Sequence, residues 1–335
     1  MKIIAQAPCR VDLAGGTLDI WPLYLFHANA VTVNFAVDRY THCTIQTHDS
    51  PSIVLRSLDL KGEERFDSIA ALKAARKYKL ALLAYLIDFF TPGQGFLMET
   101  NSEAPAGAGI SGSSSLIISI ASALNKLTAA GYSLEKIREV AQNNEARIIR
   151  VPTGCQDYYP AMYGGVSAIE MDCAGLRRKE IPVDLEDFNQ RIVLAYTGEP
   201  RNSGINNWEV NKAYIDGDKG VHRNFDRIAA IANAMRGALE KSDWTEAARL
   251  LREEWSNRKK NAPGITTPFI DRLVDITKKA GARGAKACGA GGGGCVFFLV
   301  DRGAKERVAR VIQTEGATVL PVAVAPKGVR VKVAG

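Results

Sequence analysis

Residues 105–115 read Pro-Ala-Gly-Ala-Gly-Ile-Ser-Gly-Ser-Ser-Ser, and no other stretch limits the possible fold as strongly. Gly107, Gly109 and Gly112 lack side chains, so the main chain there can bring its N–H groups close to an anion. Apolar residues recur at helical spacing over 116–127, so a helix should point its unpaired N–H groups back at the loop. The stretch is typical of a phosphate-binding loop, and its alternative is a tight turn with a good N-cap.

Two common nucleotide motifs do not fit this loop. Its three glycines match the dinucleotide fingerprint, but they follow Glu103-Ala104-Pro105 rather than a strand. No acidic residue closes a clear second strand about 20 residues later, where a ribose contact would lie. A Walker A loop is excluded because no Gly-Lys-Ser/Thr follows the glycines. We therefore expect a phosphate-binding loop without a P-loop lysine.

The composition is that of a globular enzyme with two domains. The chain has 335 residues, of which 46% are hydrophobic and 24% charged. A change in composition near residues 174–189 predicts a boundary around 182–190, with domains at 1–185 and 186–335. No apolar run is long enough to span a bilayer and no signal peptide is visible, which predicts a cytoplasmic protein without a membrane partner.

Neither zinc nor nucleic acid is indicated. The six cysteines form no Cys-x-x-Cys pair, and His42 and His48 flank Cys43 on an alternating strand pattern. The net charge is +7, but lysines and arginines are spread over helices, residues 258–260 among them, and no recognition motif accompanies them. An anionic small substrate explains the positive charge as well as nucleic acid would.

Periodicity predicts a mixed order of strands and helices. We expect strands at 2–5, 10–13, 31–37, 40–46, 53–56, 95–99, 166–171, 191–196, 295–300, 317–324 and 329–333. We expect one helix or a helical pair within 69–90, and further helices after Ser113, after Ser133, and at 223–241, 244–257, 268–280 and 304–313.

Three stretches carry candidate polar side chains. Gly15-Gly16 and Asp19, with Arg10 upstream, bring a cation and a carboxylate to a loop that a ligand can approach, or form a turn capped by Asp19. Asp157 lies among aromatic and turn residues and is a candidate general base or a turn cap. Arg201 is a candidate contact for substrate oxygens, with a salt-bridged loop arginine as its alternative.

A second glycine run spans residues 289–294 and leads into an apolar strand. Its five glycines are costly to order, so we expect another backbone or a ligand to approach closely. The run also matches the protein-kinase glycine loop, but no Val-Ala-Ile-Lys, His-Arg-Asp or Asp-Phe-Gly follows, so that interpretation fails.

Together, Arg10 with Gly15, Gly16 and Asp19, the loop at 105–115 and the run at 286–294 resemble the three ordered motifs of the GHMP kinases. This superfamily contains galactokinase and the homoserine, mevalonate and phosphomevalonate kinases. The resemblance spans nearly the whole chain. It implies an α+β fold of two-layer α/β domains, with an N-terminal ribosomal-protein-S5-like domain, a C-terminal ferredoxin-like domain, and ATP and acceptor between them.

The resemblance also implies roles for individual residues. Asp157 would be the catalytic base, with Arg10 holding its carboxylate, and Ser113 and Glu145 would ligate Mg²⁺. Without the resemblance, Glu145 would be taken for a solvated helical glutamate. The residues expected to bind ATP are Pro105, Gly107, Ala108, Gly109, Ser111, Gly112, Ser113, Ser114, Gly291 and Gly292. Those expected to bind the acceptor are Gly16, Asp19, Arg201 and Gly293.

Details of the motifs favour the heptose-phosphate kinase and fucokinase branch. Galactokinases carry Gly-Glu-His-x-Asp in the first motif, and the stretch ending at Asp19 lacks the glutamate and the histidine. Three stretches are more like the heptose-phosphate and fucose enzymes: Ala-Gly-Gly at residues 14–16 in the first motif, Gly154-x-Gln156-Asp157, and Thr197-Gly198. The loop departs slightly, since residues 111–113 read Ser-Gly-Ser where Gly-Ser-Ser is commoner.

The expected activity is transfer of a phosphoryl group from ATP, with Mg²⁺, to a hydroxyl of a sugar or sugar phosphate by a monomer or homodimer. One alternative is a kinase of the mevalonate branch, which would need an apolar acceptor pocket in place of Asp19. The other is a sugar-sensing regulator without turnover, against which the presence of Asp157 and Arg10 argues.

Overall fold

The computed structural model describes residues 1–200 and 203–334, without the side chains of 203–207. Its strands are β1 (Lys2–Ala14), β2 (Val31–Thr47), β3 (Ile53–Ser57), β4 (Gly62–Phe66), β5 (Phe96–Ser102), β6 (Val166–Asp172), β7 (Gly175–Glu180), β8 (Ile192–Tyr196), β9 (Ala282–Ala287), β10 (Cys295–Val300), β11 (Thr318–Leu320) and β12 (Arg330–Ala334). Its helices are α1 (Ile69–Ala74), α2 (Ala81–Phe90), α3 (Gly112–Leu127), α4 (Leu134–Ile149), α5 (Tyr158–Tyr163), α6 (Leu185–Asn189), α7 (Ser203–Ile215), α8 (Lys219–Glu240), α9 (Trp244–Arg258), α10 (Pro268–Ala280) and α11 (Lys305–Thr314).

The strands form two sheets. The first has the order β12-β1-β2-β5-β3-β4, with β6 also paired to β2 and β7 to β6. Its pairs are antiparallel except β3 with β5. The second sheet has the order β11-β8-β10-β9 and is antiparallel throughout. Helix α3 packs across β1 and β2 with most of its length buried, which places its N-terminal end beside β1.

Two long strands replace four short predicted ones. The segments predicted at 2–5 and 10–13 are parts of β1, and those at 31–37 and 40–46 are parts of β2. Pro8 lies between the two predicted segments of β1. The β1–β2 register shifts between Pro8 and Cys9, and such an irregularity accommodates a proline. The pairing then continues through Arg10 and Asp12, so both polar side chains lie on the rigid central part of the sheet.

Other elements were missed or shortened. Strands β4, β7 and β9 and helices α5, α6 and α7 were not predicted. The strand predicted at 317–324 covers only residues 318–320, because Pro321 follows and has no N–H to donate. Strand β9 has few β-branched residues, and it is stabilised by packing on α9, where a Cβ on Gly284 would lie 2.8 Å from the Ala248 carbonyl oxygen.

Helix α10 begins and ends at the predicted residues because capping residues flank it. The Thr267 side chain accepts a hydrogen bond from the Ile270 N–H, and Pro268 occupies the first helical position, where no N–H is needed. Gly281 ends the helix in the left-handed region with φ 111°.

The two sheets pack against each other through a common apolar core. Phe35 of β2 packs edge-to-face on Phe188 of α6 and on Phe297 of β10, with ring centroids 5.0 and 5.6 Å apart. Strand β12 pairs with β1, so residues 330–334 return to the first sheet although they follow the expected boundary at 185. None of the described helices is both long and apolar enough to cross a membrane.

Replacing Phe35 with alanine should remove the ring that joins the two sheets. Because Phe35 is 1% exposed, we expect Phe35→Ala to lower the free energy of unfolding by about 3–5 kcal/mol. Chemical denaturation followed by circular dichroism measures the change. Phe89→Ala, at a ring that is 42% exposed, is the control and should have a much smaller effect; equal losses in the two variants would contradict the shared core.

Candidate active site

The loop at 105–111 has the backbone geometry that its glycines predict. Gly107 and Gly109 have φ of 67° and 80°, and the Ala108 N–H donates to the Pro105 carbonyl oxygen at 3.0 Å. Ser111 is also left-handed, with φ 60°, and it precedes α3. Its buried Oγ has no hydrogen-bond partner among the described residues. A loop of this shape, ending at a helix N-terminus, presents N–H groups to an anion.

A cleft of about 360 Å³ lies in front of this loop. Its lining includes every residue of the loop that was predicted to bind ATP, namely Pro105, Gly107, Ala108, Gly109, Ser111, Gly112, Ser113 and Ser114. It also includes the other candidates Arg10, Asp19, Glu145 and Asp157. Thr17, Asp59, Leu60, Leu82, Gln156, Arg258, Gly289 and Ala290 contribute further walls.

Arg10 binds Asp157 at the centre of the cleft. Its Nε and Nη2 atoms donate to the same carboxylate oxygen, Oδ1, at 2.9 and 2.5 Å. Its Nη1 donates to the Gly109 carbonyl oxygen at 3.0 Å, so one guanidinium also holds the glycine loop. Arg10 is buried, whereas the Asp157 side chain is 22% exposed. Asp157 occupies the N-cap position of α5, but its side chain makes no capping hydrogen bond to that helix.

Ser113 and Glu145, which the resemblance implies as the two Mg²⁺ ligands, are in contact. Ser113 Oγ donates to Glu145 Oε1 at 2.6 Å. Ser114 Oγ and Tyr158 Oη donate to the other oxygen, Oε2, at 2.8 and 2.6 Å. Burial raises the pKa of Glu145, and the hydrogen bonds from Ser113 and Tyr158 oppose this by stabilising the charged form. Glu145 is therefore not the solvated glutamate that its position on a helix would suggest.

Asp19 is buried in the wall of the same cleft. Its Oδ2 accepts a hydrogen bond from the Gln156 N–H at 3.0 Å. A Cβ on Gly154 would lie 2.1 Å from the same oxygen, so only glycine lets the two segments approach. Burial, and then the negative charge of Asp157, raise the pKa of Asp19 to about 6.

A buried group of charges lies behind the cleft and was not predicted. The Asp12 carboxylate accepts from Lys286 Nζ at 2.5 Å and from Arg258 Nη1 at 3.1 Å. It also accepts from the Gly289 N–H at 3.1 Å, and Glu254 lies 3.2 Å from Lys286. Burial alone would raise the pKa of Asp12, but the charges of Lys286, Arg258 and Arg10 outweigh it and hold that pKa well below its usual range.

Arg258 corrects the interpretation that its helix carries only dispersed surface charge. It is 4% exposed, and its Nη2 donates to the Gly289 carbonyl oxygen at 2.7 Å and to Thr17 Oγ1 at 3.3 Å. A Cβ on Gly16 would lie 2.5 Å from Arg258 Nη1, so the glycine predicted to contact substrate makes room for this arginine. Half-buried Lys259 and exposed Lys260 follow Arg258, and a run of basic residues does not show in the sequence which of its members is buried.

The second glycine run mainly meets other backbone. A Cβ on Gly291 would lie 2.2 Å from the Ile265 carbonyl oxygen, and the Gly292 N–H donates to that oxygen at 2.8 Å. A Cβ on Gly294 would lie 2.6 Å from the Ala108 carbonyl oxygen. The cleft is lined by Gly289 and Ala290, and its lining does not include Gly291, Gly292 or Gly293. The ligand roles of these three glycines stay predictions, and Arg201 lies outside the described residues.

The comparisons with known proteins agree with this arrangement. Residues 70–165 match the GHMP kinases N terminal domain, and residues 235–318 match the GHMP kinases C terminal domain. The chain belongs to the GHMP kinase family, and the two-domain α+β fold predicted from the three motifs is confirmed.

Individual relatives extend over the full chain. The D-glycero-alpha-D-manno-heptose 7-phosphate kinase of Campylobacter jejuni is 26% identical, over 98% of this chain and 99% of its own. The L-fucokinase/L-fucose-1-P guanylyltransferase of Bacteroides fragilis is 25% identical, over 93% of this chain but 36% of its own. Among solved structures, a D-glycero-D-manno-heptose 1-phosphate kinase from Bacteroides thetaiotaomicron has a TM-score of 0.79 at 22% identity and covers 99% of this chain and 100% of its own.

Removing the charge of Asp12 should destabilise the whole site. Asp12→Asn leaves Lys286 and Arg258 without their shared carboxylate, and we expect the free energy of unfolding to fall by about 3–5 kcal/mol, since breaking a buried pair strands its partner. Urea denaturation measures the loss. Asp275→Asn, which removes an exposed partner of Lys278, is the control and should leave the midpoint unchanged. A wild-type midpoint for Asp12→Asn would contradict the assigned role.

Proposed function

We propose that the protein transfers the terminal phosphoryl group of ATP to a hydroxyl group of a sugar or sugar phosphate. The observation that carries this proposal is the position of Asp157, which Arg10 holds between the phosphate-type loop and the polar end of the cleft near Asp19. The heptose-phosphate and fucose kinases among the relatives support the same class of acceptor.

ATP would lie along the loop at 105–114, with its phosphates on the N–H groups of the loop and of the first turn of α3. Asp59, Leu60 and Leu82 line the same cleft as Pro105 and are candidates for contacts with the nucleoside. We also retain Gly291 and Gly292 as ATP-binding candidates that act through the position of the loop, since Gly294 packs on Ala108.

The donor set fits Mg²⁺. Ser113 and Glu145 supply a hydroxyl and a carboxylate oxygen, which a hard cation prefers, although no group of three or more metal-binding side chains occurs in the described part of the chain. The charged residues that line the cleft are two arginines and four carboxylates: Arg10, Arg258, Asp19, Asp59, Glu145 and Asp157. A triphosphate would add to this negative charge, and a bound Mg²⁺ would neutralise part of it during transfer.

The acceptor would lie at the polar end of the cleft. Asp19 would accept hydrogen bonds from sugar hydroxyls, and Gln156 and Thr17 line the same cleft. Gly16 stays an acceptor-binding candidate, although the cleft lining does not include it. Arg201 and Gly293 stay acceptor-binding candidates. A mevalonate-type acceptor needs an apolar pocket here, and the buried Asp19 and Arg258 favour a polar acceptor instead.

In the reaction, Asp157 takes the proton of the acceptor hydroxyl as the hydroxyl oxygen forms its bond to the transferred phosphorus and the bond to ADP breaks. Arg10 keeps the Asp157 carboxylate in place with two hydrogen bonds to Oδ1, which leaves Oδ2 to receive the proton. The same guanidinium lies next to the loop at Gly109, where it opposes negative charge that develops on the transferred group.

The remaining expectations are parts of this proposal. The protein would act in the cytoplasm as a monomer or homodimer, with domains at 1–185 and 186–335 and without nucleic-acid or membrane partners. A screen of ADP release with heptoses, heptose phosphates, fucose, galactose and mevalonate tests the function directly. Turnover with a sugar or sugar phosphate supports it, whereas turnover with mevalonate alone, or with none of the acceptors, contradicts it.

Asp157→Asn removes the base but keeps the shape of the side chain. We expect kcat to fall by about 100-fold to 10,000-fold, while the Kd for ATP, measured by calorimetry, stays near the wild-type value. Asp172→Asn changes an exposed carboxylate that pairs with Arg177 and is the matched control. Undiminished turnover by Asp157→Asn would remove Asp157 from the role of base.

The KM for the acceptor should depend on pH through Asp19. Because the pKa of Asp19 is raised to about 6, its carboxylate is ionised at pH 7.5 and becomes protonated as the pH falls to 5, so it loses strength as a hydrogen-bond acceptor. We expect this KM to rise over that range while the KM for ATP stays constant. Steady-state kinetics measure both, and the dependence should disappear in Asp19→Asn. A KM that is flat in wild type would contradict the acceptor role.

A further inference from the structure

Tyr158 forms a buried link between the two carboxylates of the site. It follows Asp157 directly in the chain and begins α5, and its side chain is 0% exposed. Its hydroxyl donates to Glu145 Oε2 at 2.6 Å, across from α5 to α4. Neither the motifs nor the predicted residues include Tyr158.

The two oxygens of Glu145 have different surroundings. Oε2 accepts from Tyr158 and from Ser114, and both of these side chains are buried. Among the described residues, Oε1 accepts only from Ser113, which is exposed at the start of α3 and lines the cleft. The two buried donors use the lone pairs of Oε2, so Oε1 is the oxygen that remains for a ligand in the cleft.

We infer that Tyr158 is a positioning residue for the metal site: with Ser114 it fixes the rotation of the Glu145 carboxylate so that Oε1 alone is presented to Mg²⁺ beside Ser113. This inference rests on the proposed function. A carboxylate held in this way binds a cation through one oxygen and loses little rotational freedom on binding, and such supporting hydrogen bonds commonly tune metal affinity.

The same residue ties the metal ligand to the base. Asp157 and Tyr158 are consecutive, so the hydrogen bond from Tyr158 to Glu145 also limits movement of the first turn of α5. Arg10 holds the Asp157 side chain from the opposite direction. Loss of the Tyr158 hydroxyl should therefore weaken metal binding at Glu145 more than it disturbs the position of Asp157.

The test compares Tyr158→Phe with Tyr159→Phe. Tyr159 is also 0% exposed, but its hydroxyl donates to Glu135 at 3.1 Å, away from Glu145. With a non-hydrolysable ATP analogue bound, the affinity for Mn²⁺ is measured by electron paramagnetic resonance. We expect Tyr158→Phe to bind Mn²⁺ about tenfold more weakly, and Tyr159→Phe to bind it as wild type does.

Further variants distinguish a wrong role for Tyr158 from a wrong metal site. If Tyr158→Phe binds Mn²⁺ as wild type does while Glu145→Gln binds it weakly, the positioning role of Tyr158 is wrong and the metal site stands. If Glu145→Gln also binds Mn²⁺ normally, the metal site in the proposed function is wrong. A purely structural role would lower the unfolding midpoint without changing Mn²⁺ affinity. If Tyr158→Phe does not fold, Ser114→Ala decides, and an unchanged Mn²⁺ affinity there overturns the inference.

Discussion

The carboxylate of Asp12 is the interaction on which the active cleft depends. It lies on the central strand β1 and receives hydrogen bonds from Lys286, Arg258 and the N–H of Gly289. Those donors come from β9, α9 and the second glycine run, all far from β1 in sequence. Because a buried carboxylate with several cationic partners is costly to separate from them, these segments are fixed relative to the first sheet.

Arg10 connects Asp12 with Asp157, the proposed base. Since it lies two residues before Asp12 on a strand, its side chain points to the same face, and the two groups are 3.6 Å apart. With Asp157 included, three cations and three carboxylates make up the group: Arg10, Arg258 and Lys286 with Asp12, Glu254 and Asp157. The formal charges of this group sum to zero, so its role is to hold the segments around the cleft in place. Attraction of phosphates then depends on the N–H groups of the loop and on a metal ion.

Sequence was sufficient for the parts of the site that depend on local backbone. The positive φ angles of Gly107 and Gly109 and the helix after the loop follow from residue type. Ser113 and Glu145 were named as metal ligands through the resemblance, in which the spacing of Glu145 from Asp157 identified the glutamate. Arg258 and Tyr158 were not found, because their burial arises from contacts between distant elements. A charged residue at a helix end and an aromatic residue near a turn have the same local signals whether they are buried or exposed.

The glycines of the motifs also show why pattern alone assigns roles incompletely. Gly107 and Gly109 shape the loop, as expected of a phosphate site. Gly154 instead makes room for the Asp19 carboxylate, and Gly294 for the Ala108 carbonyl oxygen. A substitution at Gly154 would therefore act on the acceptor through Asp19, while one at Gly294 would act on ATP by displacing the loop. Both would reduce activity, but they would raise different KM values, since each glycine supports a different end of the cleft.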